Sequence, residues 1–156
     1  MIELRRTTAL FVAAWLGAAL LTAVVVAPAA FAVLPTRTLA GALVGRILPV
    51  LFFSGALLSL AAWVGSRKST HRNALVRFAP GVWFVASIVA QFGVTPRIQS
   101  VRKEAGAAFE TLPSDDPRRV TFGRLHGISV LLLGVGMVGA LITIVDSART
   151  QRPSEG

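Results

Sequence analysis

Four stretches of this chain, 7–36, 47–66, 78–96 and 125–145, contain no Asp, Glu, Lys or Arg. They hold 90 of the 156 residues, so all 23 charged side chains crowd into the other 66. A hydrocarbon layer about 30 Å thick takes about 20 helical residues at roughly 1.5 Å each, and only a helix or a closed barrel satisfies its own backbone donors and acceptors in lipid. The pattern therefore predicts an all-α fold, an integral-membrane four-helix bundle forming a single membrane domain. Its spans are expected at 8–34, 47–64, 78–94 and 125–145, with an amphipathic connection over 96–124 and a polar tail over 147–156. The overall charged fraction, 15%, against about 25% in soluble domains, agrees. Disorder is excluded by the high hydrophobicity. The net charge of +9 does not argue for a nucleic-acid partner, because the charges flank apolar blocks and form no stripe on a soluble face. No Cys is present, which removes disulfides, thiolate metal sites and a cysteine nucleophile.

Local signals refine each span. Pro28 near the end of the first predicts a kink, because proline lacks an N–H and clashes with the preceding turn. Arg5 and Arg6, followed by an apolar run and Ala30-Phe31-Ala32, also fit a secretory signal, but the run exceeds the roughly 7–15 residues of a signal core, and retention is expected. Span two starts after Arg46 with Pro49 in its first turn. Span three is short unless Leu75 and Val76 join it while Arg77 reaches the interface, and Pro80 and Thr95-Pro96 mark its ends. Ser114-Asp115-Asp116-Pro117 reads as an N-cap with proline at the first helical position, with Asp115 or Asp116 available to Arg119. Between spans three and four, Ile98, Val101, Ala105, Ala108, Phe109 and Leu112 recur at three- and four-residue steps. A helix over 98–112 follows, with Arg102, Lys103, Glu104 and Glu110 off its apolar face, lying on the membrane surface, packing under the bundle, or extending span three into solvent.

Basic residues do not decide orientation: each side of a four-span topology holds 8. Arg5, Arg6 and the basic 65–77 segment favour both termini in the cytoplasm, and dual topology stays open.

Ionisable groups inside a membrane are costly and mark function by default. No carboxylate lies within any span, which removes the usual proton or sodium carrier and paired catalytic acids. Gln91 is the most polar side chain deep in a span; it either lines a polar cavity or bonds a neighbouring helix, at about 1 kcal/mol. His126 sits one turn into span four, and with His71 the only other histidine, no metal or haem site within one protomer is expected. Arg46 and Arg124 begin spans two and four and are either snorkelling anchors or a site for an anionic headgroup. Small-residue pairs such as Gly41-xxx-Gly45, Gly123-xxx-Gly127, Gly55-xxx-Ser59 and Gly136-xxx-Ala140 allow close helix approach in one protomer or in a homo-oligomer. Phosphate-loop, dinucleotide, zinc-protease and nucleophile-elbow motifs are absent. The expectation is a non-enzymatic protein without cofactor or metal, partnered by membrane lipids and by copies of itself or another membrane protein. A small-solute exporter lined by Gln91, His126, Arg46 and Arg124 is the alternative.

Residues 31–52 (FAVLPTRTLAGALVGRILPVLF) resemble the opening signature of the family of the animal transmembrane protein 205 and its bacterial relatives. Asp116-Pro117 followed by 122–129 (FGRLHGIS) resembles that family's second signature. An asparagine common there beyond the histidine and serine is replaced here by Leu132, Leu133 and Gly134, which argues against a polar site in mid-span four. The resemblance implies a four-span protein of the bacterial inner membrane with a functional face of Pro35, Arg46, Pro49, His126 and Ser129. Export or vesicle traffic is suggested by the animal member's link to platinum-drug resistance.

Overall fold

The computed structural model describes residues 2–66, 73–106, 109, 111–113 and 115–149. Six helices follow one another: α1 (Ile2–Leu21), α2 (Ala27–Val33), α3 (Arg37–Ser66), α4 (Ala74–Ile88), α5 (Thr95–Ala105) and α6 (Pro117–Arg149). Short π-helical turns, Thr22–Val26 and Val89–Val94, weld α1 to α2 and α4 to α5. Four continuous rods result, each long and apolar enough to cross a membrane. The expected all-α four-span architecture is the one observed, with no strand among the described residues.

Much of the interior is made of small residues, around a few large ones such as Trp15, Phe52 and Trp83, and most of the exterior of large apolar ones. Ala19, Ala40, Ala56, Ala90, Ala140, Ser59 and Ser129 are buried, while Leu10, Leu57 and Leu131 are 72%, 69% and 70% exposed. Lipid solvates leucine as well as a protein core does, so helices in a bilayer associate by close approach of small side chains. Each rod accordingly shows a buried stripe at three- and four-residue steps, such as Val12, Trp15, Ala19 and Thr22 on α1 and its π turn. Buried hydroxyls return to their own helix: Ser59 Oγ donates to the Ala56 carbonyl at 2.9 Å and Thr22 Oγ1 to that of Ala18 at 2.8 Å.

Two tryptophans fill the centre. Trp15 and Trp83 have ring centroids 4.7 Å apart and planes tilted by 48°. The Trp15 indole N–H donates to the Leu51 carbonyl at 2.9 Å. The rings fit because α3 and α6 offer glycine beside them. A Cβ at Gly136 would stand 2.9 Å from Trp83 Cδ1, and one at Gly139 2.8 Å from Trp83 Cβ and 3.1 Å from the Ala79 carbonyl oxygen. Gly55 plays the same part on α3, its Cβ position falling 2.9 Å from Trp15 Cζ2. Small-residue pairs thus separate by use: 55/59 and 136/140 are internal, whereas Gly123 and Gly127 face open space.

Several boundaries differ from the expected ones for identifiable reasons. Thr36 caps α3, its Oγ1 accepting from the Leu39 N–H at 3.2 Å, after Leu34 has turned extended (ψ 141°), the conformation that the following proline favours. Span two therefore starts about ten residues before 47, and Arg46 lies inside the helix, not ahead of it. In the same way Arg124 lies two turns inside α6. Lack of charge marks where hydrocarbon begins, while caps mark where the helix begins. Leu75 and Val76 do join span three.

Neither Pro28 nor Pro96 ends its helix. In each case a π turn widens the ladder just before the ring: the Ala27 N–H donates to the Thr22 carbonyl and the Thr95 N–H to the Ala90 carbonyl, five residues back. Thr95 Oγ1 donates to the same Ala90 oxygen at 2.9 Å. Such local adjustments let transmembrane helices carry proline. As a consequence α5 prolongs span three instead of lying on the membrane surface, and it stops at Ala105, not residue 112, because Gly106 leaves the helix at φ 56°. Ala108 and Glu110 of that predicted helix, His71 and residues 150–156 lie outside the described residues.

Asp116 caps α6 as expected, accepting from the Arg118 N–H at 2.8 Å. Its carboxylate pairs with Arg118 (2.9 Å), not with Arg119, whose Nη1 instead donates to the Leu112 carbonyl at 2.6 Å. The Arg118 side chain, and then its backbone N–H, hold the Asp116 carboxyl below its ordinary value.

Two predictions follow from this packing. Gly139→Ala should destabilise the detergent-solubilised protein by about 1–3 kcal/mol through overpacking, and Gly17→Ala, with nothing near its Cβ, should not; thermal unfolding compares them. Because the folded-state pKa of Asp116 is depressed, its stabilisation is full above the ordinary carboxylate range near pH 4 and is lost as pH falls through the folded value. The melting difference between wild type and Asp116→Ala should accordingly stay constant from pH 7 to 5 and shrink in stronger acid.

Candidate functional site

At one end of the bundle a recess of about 250 Å³ opens between α2, α3, α5 and α6. Each helix contributes one stripe. From α6 come Phe122, His126 and Ser129, spaced i, i+4, i+7, and from α5 come Thr95, Ile98, Gln99 and Arg102. The α3 wall carries Gly41, Gly45, Arg46 and Pro49, and Phe31 closes the α2 side. Arg46, Pro49, His126 and Ser129, which the sequence singled out, are thus brought together. Pro35, Gln91 and Arg124 are not among the lining residues. Pro35 is exposed in the α2–α3 corner, and Arg124 is exposed two residues along α6 from Phe122, which turns it to another face. Gln91, in the π turn of span three, has a buried Oε1 without a hydrogen-bond partner.

The residue missed is Arg102, placed off the apolar face by sequence and found half-buried under α3. Its Nη2 donates to the Thr38 carbonyl at 3.2 Å, and its guanidinium lies 5.3 Å from the centre of the Phe122 ring. It fits because Gly41 has no side chain; a Cβ there would run into the guanidinium. The Gly41-xxx-Gly45 pair therefore makes room for a cation, not for another helix backbone. A signal was available: Arg102 stands i+4 from Ile98 and i−3 from Ala105, on the apolar stripe itself.

Phe122 organises this corner. Besides Arg102 it meets Phe109 edge-on at 5.1 Å and stacks on His126 at 6.1 Å, the rings 3° from parallel. Among the described residues the lining offers guanidinium, imidazole, amide and hydroxyl groups and no carboxylate. Such a lining is chemically suited to an anion. Among the described residues no three His, Cys, Asp or Glu side chains gather to hold a metal. A larger recess of about 440 Å³ at the opposite end is mostly aliphatic, with Asp146 as its charged lining residue.

Phe122→Leu should lower stability in detergent by about 1–2 kcal/mol, through loss of ring–ring and cation–π contact. Arg124→Ala should leave the melting temperature nearly unchanged in the same assay.

Neither a curated protein nor a solved structure matches the chain. A family model described as a domain of unknown function, DUF4149, matches residues 10–107, which run from the first span through α5 and include every recess residue outside α6. The chain belongs to the DUF4149 family.

Proposed function

We propose that this DUF4149 protein is a non-enzymatic, multi-pass protein of the bacterial inner membrane, both termini in the cytoplasm, that acts by holding a membrane lipid or protein partner at the basic recess. The observation that carries this reading is the recess itself: two arginines and a histidine face it, and among the described residues no carboxylate lines it. Its volume, about 250 Å³, lies below the roughly 300–1,000 Å³ of small-molecule sites, so it suits a headgroup or a partner's side chain. The exporter alternative has less support, since Gln91 and Arg124 do not line the recess that takes in Arg46 and His126.

We propose that the wider resemblance to the transmembrane protein 205 family, carried by the residues of its two signatures, is a true relation; the two signatures meet in this fold. Segments 31–52 and 116–129 are distant in sequence, yet Phe31, Gly41, Arg46 and Pro49 from one face Phe122, His126 and Ser129 from the other across this recess.

Native mass spectrometry of the protein extracted from its own membrane tests the reading. A retained lipid or subunit is expected. A bare monomer, together with solute flux in proteoliposomes that His126→Ala abolishes without unfolding, would replace it by the exporter. Reporter fusions at Gly156 should be active on the cytoplasmic side alone.

A further inference from the structure

We infer that the recess binds a phosphate group, with Arg102 as its fixed donor and Arg46 as its mobile one. The inference deepens the preceding proposal and rests on the recess being a binding site. Arg102 is held on three sides: by the Thr38 carbonyl, by the Phe122 face and by the notch at Gly41. These contacts fix its position without neutralising it. Its Nε is buried without a hydrogen-bond partner, and among the described residues no carboxylate lines the recess. A half-buried cation with no counter-ion among the described residues is costly in a low-dielectric wall, and a planar guanidinium matches phosphate oxygens in pairs. Arg46, exposed on the neighbouring helix, can close from the other side, with His126 and Gln99 as further donors.

Depth identifies the source of the phosphate. Arg46 immediately precedes the uncharged stretch 47–66, Thr95 and Pro96 end the stretch 78–96, and His126 lies at the start of 125–145. Three hydrocarbon boundaries therefore meet at the recess, which puts it at headgroup level. On its outer side the wall is apolar: Phe31, 46% exposed, is part of the lining. A phosphate carried on acyl chains can enter there with its chains still in the bilayer.

Titration of the detergent-solubilised full chain with dioleoylphosphatidylglycerol, dioleoylglycerol and inorganic phosphate, read by native mass spectrometry and thermal shift, tests this. Phosphatidylglycerol should bind and dioleoylglycerol, which lacks phosphate, should not. Arg102→Gln should weaken the lipid at least tenfold and Arg46→Gln several-fold, while Arg124→Gln, at the same membrane face but off the recess, should bind as wild type. Competition by millimolar inorganic phosphate would support the phosphate site with a free anion as a second source; its failure to compete would support the lipid-borne group. If Arg102→Gln does not remain monodisperse, Arg46→Gln, an exposed position, carries the comparison. Equal binding of dioleoylglycerol, or loss with Arg124→Gln equal to that with Arg46→Gln, overturns the inference and leaves the binding role standing. If wild type retains neither lipid, phosphate nor subunit, both fall.

Discussion

In hydrocarbon a large apolar side chain gains nothing by leaving the solvent, and a backbone group without a partner has no water to turn to. That constraint explains the distribution in this bundle, with many leucines and valines outside and alanine, glycine and serine prominent within. Cohesion comes from contact, and the closest contact is at Trp15 and Trp83, whose rings fill the space left by Gly55, Gly136 and Gly139. Four rods are thereby registered against one another, which in turn brings the starts of spans two and four alongside the end of span three.

The same constraint shapes the proline sites. A helix broken at Pro96 would expose carbonyls to lipid, and the π turn before it prevents that, with both the N–H and the hydroxyl of Thr95 donating to Ala90. Continuity through Pro96 has a direct structural result: the helix goes on far enough to carry Arg102 beneath α3. Had the chain turned away at the proline, the recess would have had Arg46 and His126 but no cation fixed between them.

Charge in this protein is therefore of two kinds. Arg46 and Arg124 mark the edges of apolar stretches and are exposed, in the manner of interface anchors. Arg102 is different, since glycine clears its place and an aromatic face and a carbonyl hold it there. The asymmetry between a held cation and its unneutralised charge makes the recess the most chemically distinctive part of the molecule.

Charge-free stretches of about 20 residues settle the number of spans before any contact is known, because the thickness of a bilayer fixes the length of the rods. Capping at Asp116-Pro117 is equally legible, being local chemistry. Pro49, Arg46, His126 and Ser129 could be picked out by residue type and by resemblance, but not which of them meet, nor that Pro35, Gln91 and Arg124 stand aside. Helix ends were misplaced because absence of charge reports the membrane boundary and not the hydrogen-bond ladder, as the early start of α3 at Arg37 shows. The position of Arg102 depends on a glycine 61 residues earlier in the chain, and the sharing of the recess by four helices depends on the tryptophan contact that sets their register. The number of spans and the cap at Asp116 were thus determined by the sequence alone; the recess was decided by tertiary structure, since rods apolar on every face carry little local signal for which face turns inward.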